Sequence, residues 1–388
     1  MNVLYLDWPC FGGVDILTLF TQRGYHVTKF FHKDYRIHTS QAFLDAAEEV
    51  FSSSTFDFCF SYNYYPLLAR VCHAHNLKYI SFVYDSPQLK LYSYTVTFPT
   101  NYIFVFDSEL VSQYRQNGLT TFYYMPLPVN GTIIDTLLKK PFNKERVSAD
   151  VSFIGALYNE EHNFLDRYSG ISDYTKGYLQ AVMDAQSKVY GFNFMEQCLT
   201  KPILDDLQSQ VKYKNQVDGV ETLSYVFADY FLARKLTSME RISLLTKVAE
   251  HFSLKLFTLN QKAVIPNAKN MGVADYYDEM PYVFHESKIN LNISLRSIKS
   301  GIPLRCMDIM GNGGFLLSNF QSDFLQHFIP DEEFVYFENE NDLIHKIDYY
   351  LSHEEKRKAI AEAGHDKVIK NHNFPLIFDQ ILDVVFPS

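Results

Sequence analysis

The first 125 residues alternate between short apolar segments and segments with helical periodicity, and this alternation constrains the fold more than any other feature. Val3–Leu6 is a short apolar run, residues 14–23 repeat apolar side chains at helical spacing, and Gly24 follows where a helix would end. Residues 26–31 are then predicted as the next strand. A strand, a helix and a second strand in this order form a βαβ unit, whose strands lie parallel in one sheet.

The same alternation predicts two domains of one kind. It stops at a polar linker over residues 139–144 and returns after residue 150. We therefore expect an α/β fold of two Rossmann-like doubly wound domains, residues 1–145 and 146–370, which face each other across a ligand cleft.

Two segments depart from this alternation. Residues 160–235 have helical patterns and no clear strand, which predicts a helical insertion in the second domain. Residues 371–388 are predicted as a C-terminal helix that packs back on the first domain.

Charge and cysteine content exclude several classes of protein. The 35 Lys and Arg residues and 45 Asp and Glu residues give a net charge of −10, so the chain has no broad cationic face for nucleic acid, and we expect no nucleic-acid partner. The five cysteines include no C-x-x-C pair, which argues against a disulfide framework and a zinc site. The first residues lack the basic and long apolar regions of a signal peptide, so we expect none, and no apolar run approaches the roughly 20 residues that span a bilayer. We expect a cytoplasmic protein, with peripheral contact at the inner face of the membrane left open.

The densest group of polar and cationic side chains lies between residues 287 and 318. A predicted strand ends near Ile293, and the residues after it combine three cations with residues suited to a tight turn and a helix start: Arg296, Lys299, Gly301, Pro303 and Arg305. The first N–H groups of the helix that follows are unpaired and favour an anion. We predict that a diphosphate binds here and that Asp308, three residues after Arg305, accepts hydrogen bonds from a ribose.

A purely structural alternative applies to the same two side chains. Arg305 and Asp308 at i, i+3 spacing could form a surface ion pair that contributes only about 0.2–0.5 kcal/mol. The concentration of cations in an acidic chain, next to Gly301-Ile302-Pro303, favours the binding interpretation.

This region resembles the donor-binding half of CgeB-like bacterial glycosyltransferases. The similarity rests on four groups of residues: Ser287–Asn292, Gly301–Arg305, Asp308 and Gly313–Leu317. The tail (Tyr349–Leu351 and Glu354–Ala361) and Asp150–Gly155 also resemble that family, and the first half does so more loosely through Phe11–Gly13, Asp15 and Tyr84–Pro87. The family has the GT-B fold and is related to the large group 1 family of retaining glycosyltransferases.

The resemblance implies transfer of a hexosyl group from a nucleotide sugar, expected to be a UDP-sugar, to a hydroxyl-bearing acceptor. The acceptor would be a glycan, a lipid-linked sugar or a protein, in bacterial surface polysaccharide synthesis or protein glycosylation. No metal and no cofactor are implied. The second domain would bind the donor through Gly155, Lys288, Asn292, Arg296, Ser300, Gly301, Ile302, Pro303, Arg305 and Asp308.

Two of these residues carry specific implied roles. Arg305 would stabilise the departing diphosphate and is therefore predicted as catalytic. Asp308 takes the place of the second acid in the family's Glu-x7-Glu motif, which holds the ribose, whereas Ser300 takes the place of the first acid. Retention is favoured over inversion. His162 and Arg167, which follow the Gly155 loop, are weaker candidates for donor contact.

The first domain is expected to bind the acceptor through Gly12, Gly13, Asp15 and Asp85. Asp15 would be the general base only if the enzyme inverts configuration. Its structural alternative is favourable interaction with the dipole of the first helix, worth about 0.3–1 kcal/mol.

Two other functions remain open on the sequence alone. One is a sugar-nucleotide epimerase or phosphorylase of the same fold. The other is a catalytically silent module that binds nucleotide sugars, a possibility raised by the missing acid at Ser300.

Overall fold

The computed structural model describes residues 1–159, 170–260 and 262–387. The strands are β1 Asn2–Leu6, β2 His26–Phe30, β3 Phe58–Tyr62, β4 Tyr79–Val83, β5 Asn101–Val105, β6 Phe122–Tyr124, β7 Val151–Ile154, β8 Leu254–Phe257, β9 Lys269–Gly272, β10 Ile289–Asn292, β11 Leu316–Asn319 and β12 Val335–Phe337. The α-helices are α1 Gly13–Gln22, α2 Gln41–Ser53, α3 Pro66–Ala74, α4 Ser108–Gln116, α5 Ile133–Leu137, α6 Lys144–Val147, α7 Asp173–Gln186, α8 Met195–Cys198, α9 Lys201–Val211, α10 Leu223–Tyr225, α11 Ala233–His251, α12 Met280–Glu286, α13 Leu304–Gly311, α14 Phe324–His327, α15 Glu340–Ser352, α16 Glu354–Asn371 and α17 Phe374–Val385. Short 3-10 turns cover Lys33–Arg36, Leu89–Tyr92 and Tyr94–Thr97, and a π-helical turn covers Val226–Leu232.

The chain folds into two compact units. Unit 1 contains residues 1–127, residues 213–222 and the chain from Phe374 onward, and unit 2 contains residues 128–212 and 223–373. Each unit is built on a six-stranded sheet whose paired strands all run parallel. The predicted α/β class is therefore confirmed. The predicted domain boundary at residue 145 lies inside unit 2.

In unit 1 the strand order is β2-β1-β3-β4-β5-β6. Every residue of β3 and β4 is buried, as expected for central parallel strands with helices on both faces. Local signals explain where the helices begin and end. The hydroxyl of Ser40 accepts a hydrogen bond from the N–H of Phe43 at the start of α2, and Gly24, with a φ of 69°, follows α1 in a conformation that favours glycine.

The short segment at residues 213–222 completes unit 1 through one buried carboxylate. Asp218 accepts hydrogen bonds from Ser93 Oγ at 2.7 Å and from Arg70 Nη2 at 3.3 Å, and its Oδ1 lies 2.5 Å from His38 Nδ1. Gly219 also forms an antiparallel bridge with Ser93. The segment is thus held on unit 1 by charge as well as by backbone pairing.

The last helix belongs to the same unit. Helix α17 packs against α1: the ring of Phe378 lies 5.1 Å from that of Phe20, and Asp379 forms a 2.8 Å ion pair with Arg23. Four of its side chains are buried, so unit 1 completes its core with residues from the end of the chain.

In unit 2 the strand order is β12-β11-β10-β7-β8-β9. Between β7 and β8 the described residues form helices α7 to α11 and the π-helical turn, which confirms the predicted helical insertion as far as the structure describes it. The first part of that insertion, residues 160–169 with His162 and Arg167, lies outside the described residues. Among the residues that are described, no helix combines the length and apolar character needed to cross a bilayer.

Candidate functional site

The sheet of unit 2 changes its winding direction between β7 and β10. From β7 the chain continues to β8 and β9 on one side, and then crosses back to form β10, β11 and β12 on the other. In open parallel sheets the loops after the two strands at such a point part from each other and leave a crevice at the carboxyl edge, where ligands bind. Gly155 follows β7 and Ile293 follows β10, so both loops of interest lie at this edge.

Arg305 lies at this switch point and contacts both loops. Its Nη1 donates to Oδ1 of Asn292 at 3.3 Å, and a Cβ placed on Gly155 would lie 2.9 Å from its Nη2. Glycine at position 155 therefore permits the guanidinium to approach the backbone. Asn292 is fully buried and donates to the hydroxyls of Ser294 and Ser318, so its carboxamide is fixed in orientation.

A second arginine, not predicted from the sequence, joins the same two loops. Arg241 on α11 is 2% exposed and donates from Nε to the carbonyl of Ile293 at 3.0 Å and from Nη1 to the carbonyl of Ala156 at 2.5 Å. Burial, with a smaller contribution from the nearby charge of Arg305, lowers the pKa of Arg241 to about 10. It thus remains charged near neutral pH, next to a second cation.

A third guanidinium extends this group along α11. Arg234 lies two helical turns before Arg241, and its Cζ is 4.5 Å from the ring centre of Tyr230 and 5.9 Å from that of Tyr158. The Cζ of Arg241 is 4.9 Å from the same Tyr158 ring. We call Arg234, Arg241 and Arg305 the arginine cluster. Within the part of the chain that the structure describes, none of the three forms an ion pair with a carboxylate.

Asp308 lies one turn after Arg305 on α13 and is 8% exposed. The hydroxyl of Tyr276 donates to its Oδ1 at 3.2 Å. Among the contacts of the described residues, Arg305 bonds to Asn292 and not to Asp308, and Asp308 is buried, so the predicted alternative of a surface ion pair between the two is not observed. A buried carboxylate with a hydroxyl donor beside the arginine cluster suits a polar ligand group such as a ribose.

The remaining predicted donor residues form the loop that leads into α13. Ser300, Gly301, Ile302 and Pro303 are all buried, and Pro303 immediately precedes the first residue of the helix. The carbonyl of Ser300 accepts from the N–H of Asp323 at 3.1 Å. Their roles in donor binding stay predictions.

Lys288 is placed at the wrong edge of the sheet for the role predicted for it. It precedes β10 rather than following it, and its ammonium group forms a 2.7 Å ion pair with Asp150 just before β7. The four residues of β10, at about 3.3 Å each, separate it from the carboxyl edge. Lys288 therefore does not belong to the candidate anion site.

Arg296 is also unavailable to an anion, for a different reason. Its Nε donates to Oε2 of Glu240 at 2.7 Å, its Nη2 bonds to the other carboxylate oxygen, and its Cζ lies 4.1 Å from the ring centre of Tyr190. Its Nη1 donates to the carbonyl of Val189 at 2.7 Å. With its charge neutralised and its donors occupied, Arg296 holds the loop after β10 against the insertion, and this corrects the prediction that it binds phosphate.

The predicted acceptor residues all lie in unit 1. Gly12 has a φ of 74° and caps α1, with its carbonyl accepting from the Tyr62 hydroxyl at 3.2 Å, and Gly13 is buried as the first residue of that helix. Asp15 is half-buried in the first turn of α1. Asp85 is exposed after β4, where its Oδ2 accepts from Nδ2 of Asn63 at 2.7 Å. All four follow the carboxyl ends of strands, and their roles stay predictions.

Comparison with known proteins finds similarity to glycosyltransferases in the last third of the chain. Residues 244–383 match the model of a family described as glycosyl transferase-like, and this range contains Arg305 and Asp308. No curated protein matches the sequence.

Several solved structures share the fold over almost the whole chain. HepE of Anabaena, in complex with UDP and glucose, is 10% identical with a TM-score of 0.52, and the match covers 99% of each chain. Sucrose-phosphate synthase of Thermosynechococcus elongatus is 11% identical with a TM-score of 0.51, covering 99% of this chain and 98% of that one. An alpha-glucosyltransferase in complex with UDP-glucose and DNA is 11% identical with a TM-score of 0.52 at the same coverage. The chain therefore has the two-sheet α/β fold of GT-B glycosyltransferases and carries a glycosyl transferase-like domain over residues 244–383.

Proposed function

We propose that this protein is a CgeB-like glycosyltransferase that moves a hexosyl group from a UDP-sugar to a hydroxyl-bearing acceptor. Proteins with the same fold have been solved in complex with UDP and glucose or with UDP-glucose. The acceptor we propose is a glycan, lipid-linked sugar or protein of a bacterial cell.

The observation that carries the proposal is the arginine cluster at the switch point of unit 2. Guanidinium groups are the most strongly basic side chains of proteins and carry a positive charge near neutral pH. Three such charges without carboxylate partners among the described residues, in a chain whose net charge is −10, favour a multiply charged anion. A diphosphate is such an anion, and Arg241 and Arg305 both contact the segments at the carboxyl ends of β7 and β10.

The residues would share the chemistry as follows. Arg305, oriented by Asn292, donates to the diphosphate oxygens, on which negative charge grows as the bond to the sugar breaks. Arg241 adds a second fixed charge, and Asp308 accepts hydrogen bonds from the ribose. In other transferases a divalent metal neutralises the charge of the diphosphate. Here we propose that the arginines do so and that transfer is metal-independent.

For the stereochemical course we propose retention. Identification of the product anomer by NMR decides this point, and an inverted product would instead assign the role of general base to Asp15.

A silent binding module is favoured by one observation only, which is that Ser300 replaces the first acid of the family motif. A protein that binds UDP-sugars but neither transfers nor slowly hydrolyses them would establish that alternative.

Substitution of Asp308 tests the nucleotide site in solution. We expect Asp308→Ala to weaken UDP binding by at least about tenfold, because a charge-assisted hydrogen bond contributes about 1.5–3 kcal/mol. Isothermal titration calorimetry with UDP and UDP-glucose measures the change, and thermal unfolding of each variant checks that it is folded.

Lys288→Ala is the matched control, since Lys288 forms its exposed ion pair at the opposite edge of the same sheet. It should leave UDP affinity unchanged. Equal affinities for the wild type and Asp308→Ala would remove Asp308 from the site, and failure of the wild-type protein to bind any nucleotide would overturn the proposed function.

A further inference from the structure

Unit 1 has its own switch point, and a group of aromatic and cationic side chains collects there. The strand order β2-β1-β3-β4 places the reversal of winding between β1 and β3. Trp8 follows β1, Tyr35 follows β2, Tyr65 follows β3 and Lys90 follows β4. Four neighbouring strands therefore each contribute one of these side chains at the carboxyl edge, which is the edge where ligands bind in such sheets.

Three aromatic rings form the base of this surface. The Trp8 ring centre lies 6.0 Å from that of Tyr35 and 6.1 Å from that of Tyr65, and the two tyrosine rings are 5.3 Å apart. Tyr35 and Tyr65 are buried, whereas Trp8 is only half-buried. Mutual packing of the rings fixes the position of Trp8, the one tryptophan in the chain, and leaves part of it open to a ligand.

Lys90 lies over this base without a polar partner. Its ammonium nitrogen is 4.1 Å from the ring centre of Tyr65, and it makes no hydrogen bond or ion pair with any residue that the structure describes. Burial, assisted by the positive charge of Arg36, lowers the pKa of Lys90 to about 7, against an opposing effect of Asp85. A half-buried cation of this kind has lost hydration and gained no carboxylate in return.

Arg36 supplies a second cation at the same place. Its guanidinium lies 5.1 Å from the ring centre of Tyr35, and its Nε donates to the hydroxyl of that tyrosine at 2.7 Å. Arg36 is exposed and forms no ion pair among the described residues, so its remaining N–H groups are open to solvent or ligand. Two cations that repel each other lie beside a partly exposed indole ring.

We propose that this surface, formed by Trp8, Arg36, Tyr65 and Lys90, binds an acidic carbohydrate, with its anionic group between the two cations and a sugar ring against Trp8. The assignment rests on the proposed glycosyltransferase function, in which this carbohydrate is the acceptor. The anionic group is a carboxylate, as in a uronic acid, or a phosphate ester. Either anionic group would bind to the same two cations, Arg36 and Lys90. The flat apolar face of the Trp8 ring suits the C–H face of a pyranose.

Three small ligands test the proposal on the full chain. Methyl β-glucuronide carries the carboxylate, glucose 6-phosphate carries the phosphate, and methyl β-glucoside is neutral. We expect at least one acidic sugar to bind the wild type about tenfold more tightly than the glucoside, a difference equivalent to about 1.4 kcal/mol. Saturation-transfer NMR titrations measure the affinities, and whichever acidic sugar is preferred identifies the anionic group.

Variants of Lys90 separate a binding role from a structural one. Lys90→Met should bring the acidic and neutral sugars to within about twofold of each other, whereas Lys90→Arg should keep the preference. In the wild type the preference for methyl β-glucuronide, whose carboxylate stays ionised in this range, should decline as the pH rises from 6 to 8, because Lys90 loses its proton near pH 7, and Lys90→Arg should remove this pH dependence. The charged and titratable neighbours Arg36, Asp85 and Tyr65 are the same in every variant.

Lys78→Met is the matched control. Lys78 precedes β4 instead of following it, and its ammonium nitrogen also lies over an aromatic ring, 4.0 Å from the centre of that of Phe386. This variant should keep the preference of the wild type. The proposal is overturned if the wild type shows no preference for an acidic sugar, or if Lys90→Met and Lys78→Met behave alike. UDP affinity, measured in parallel, reports separately on the proposed function.

Discussion

Replacing Arg305 with alanine should reduce the rate of sugar transfer by about 10²–10³-fold, the usual effect of removing one donor that stabilises charge in a transition state. Arg305 approaches the Gly155 backbone and is oriented by a buried asparagine, so its position is fixed before the substrate binds. The expected loss is larger in turnover than in substrate binding, because the diphosphate gains charge as the sugar leaves. Initial rates of UDP release from a UDP-sugar, with and without acceptor, measure the effect.

Two further variants separate the role of Arg305 from the effect of losing a positive charge elsewhere. Arg305→Lys keeps a charge but loses the planar fork and should recover only part of the rate. Arg115→Ala is the matched control, because Arg115 also lies over a tyrosine ring, 5.5 Å from the centre of that of Tyr123, but belongs to unit 1. A rate for Arg305→Ala within tenfold of the wild type, in a variant with an unchanged melting temperature, would contradict the assignment of Arg305 as a catalytic residue.

Replacing Arg296 with alanine should instead unfold the protein more easily, lowering the free energy of unfolding by about 3–5 kcal/mol. The cost arises because Glu240, 7% exposed, is left as an uncompensated buried charge. Lys346→Ala is the control: its ion pair with Asp342 is half-buried and at i, i+4 spacing, and its loss should cost only about 0.3–0.5 kcal/mol. Urea unfolding of the two variants gives both values.

The destabilisation by Arg296→Ala should also depend on pH in a defined direction. Burial raises the pKa of Glu240 above its ordinary value even though Arg296 acts to lower it, and removal of Arg296 raises that pKa further. A carboxyl group whose pKa is raised by folding binds more protons in the folded state, so its contribution to stability is lost as pH rises.

The difference in unfolding free energy between wild type and Arg296→Ala should therefore be smallest near pH 4.5 and should grow towards pH 8. Unfolding curves of both proteins at three pH values in this range measure how this difference changes with pH. A difference that is constant with pH would show that lost packing, and not the charge of Glu240, causes the instability.

Local patterns predicted the fold well because each of its elements is specified locally. The alternation of apolar and helical segments identified the βα units, and Gly24 lies where its conformation ends α1. The loop before α13 was likewise predicted from Gly301 and Pro303. None of these features needs a distant partner to be recognised.

Which arginine and lysine side chains belong to the anion site could not be predicted in the same way. The answer depends on the partners of each side chain, and these partners are far apart in sequence. Arg296 and Arg305 look alike in the sequence, yet among the described residues only Arg296 pairs with a carboxylate, supplied by Glu240 on α11. Arg241 was missed since no local pattern marks it as buried, whereas α11, which begins at Ala233, places it in the interior. Lys288 was predicted at the carboxyl edge of the sheet, but it precedes β10. The length of that strand separates the two edges of the sheet.

The way unit 1 gathers its residues has a consequence for protein synthesis. Its six strands leave the ribosome before part of unit 2, the segment that carries Asp218 follows that part, and α17 follows the rest of unit 2. Until then Phe20 lacks the ring of Phe378, and His38 and Arg70 lack their shared carboxylate. Domains that form one continuous stretch can fold as they emerge. Here unit 1 is complete only after α17 has been made, and no single cut in the chain releases it intact.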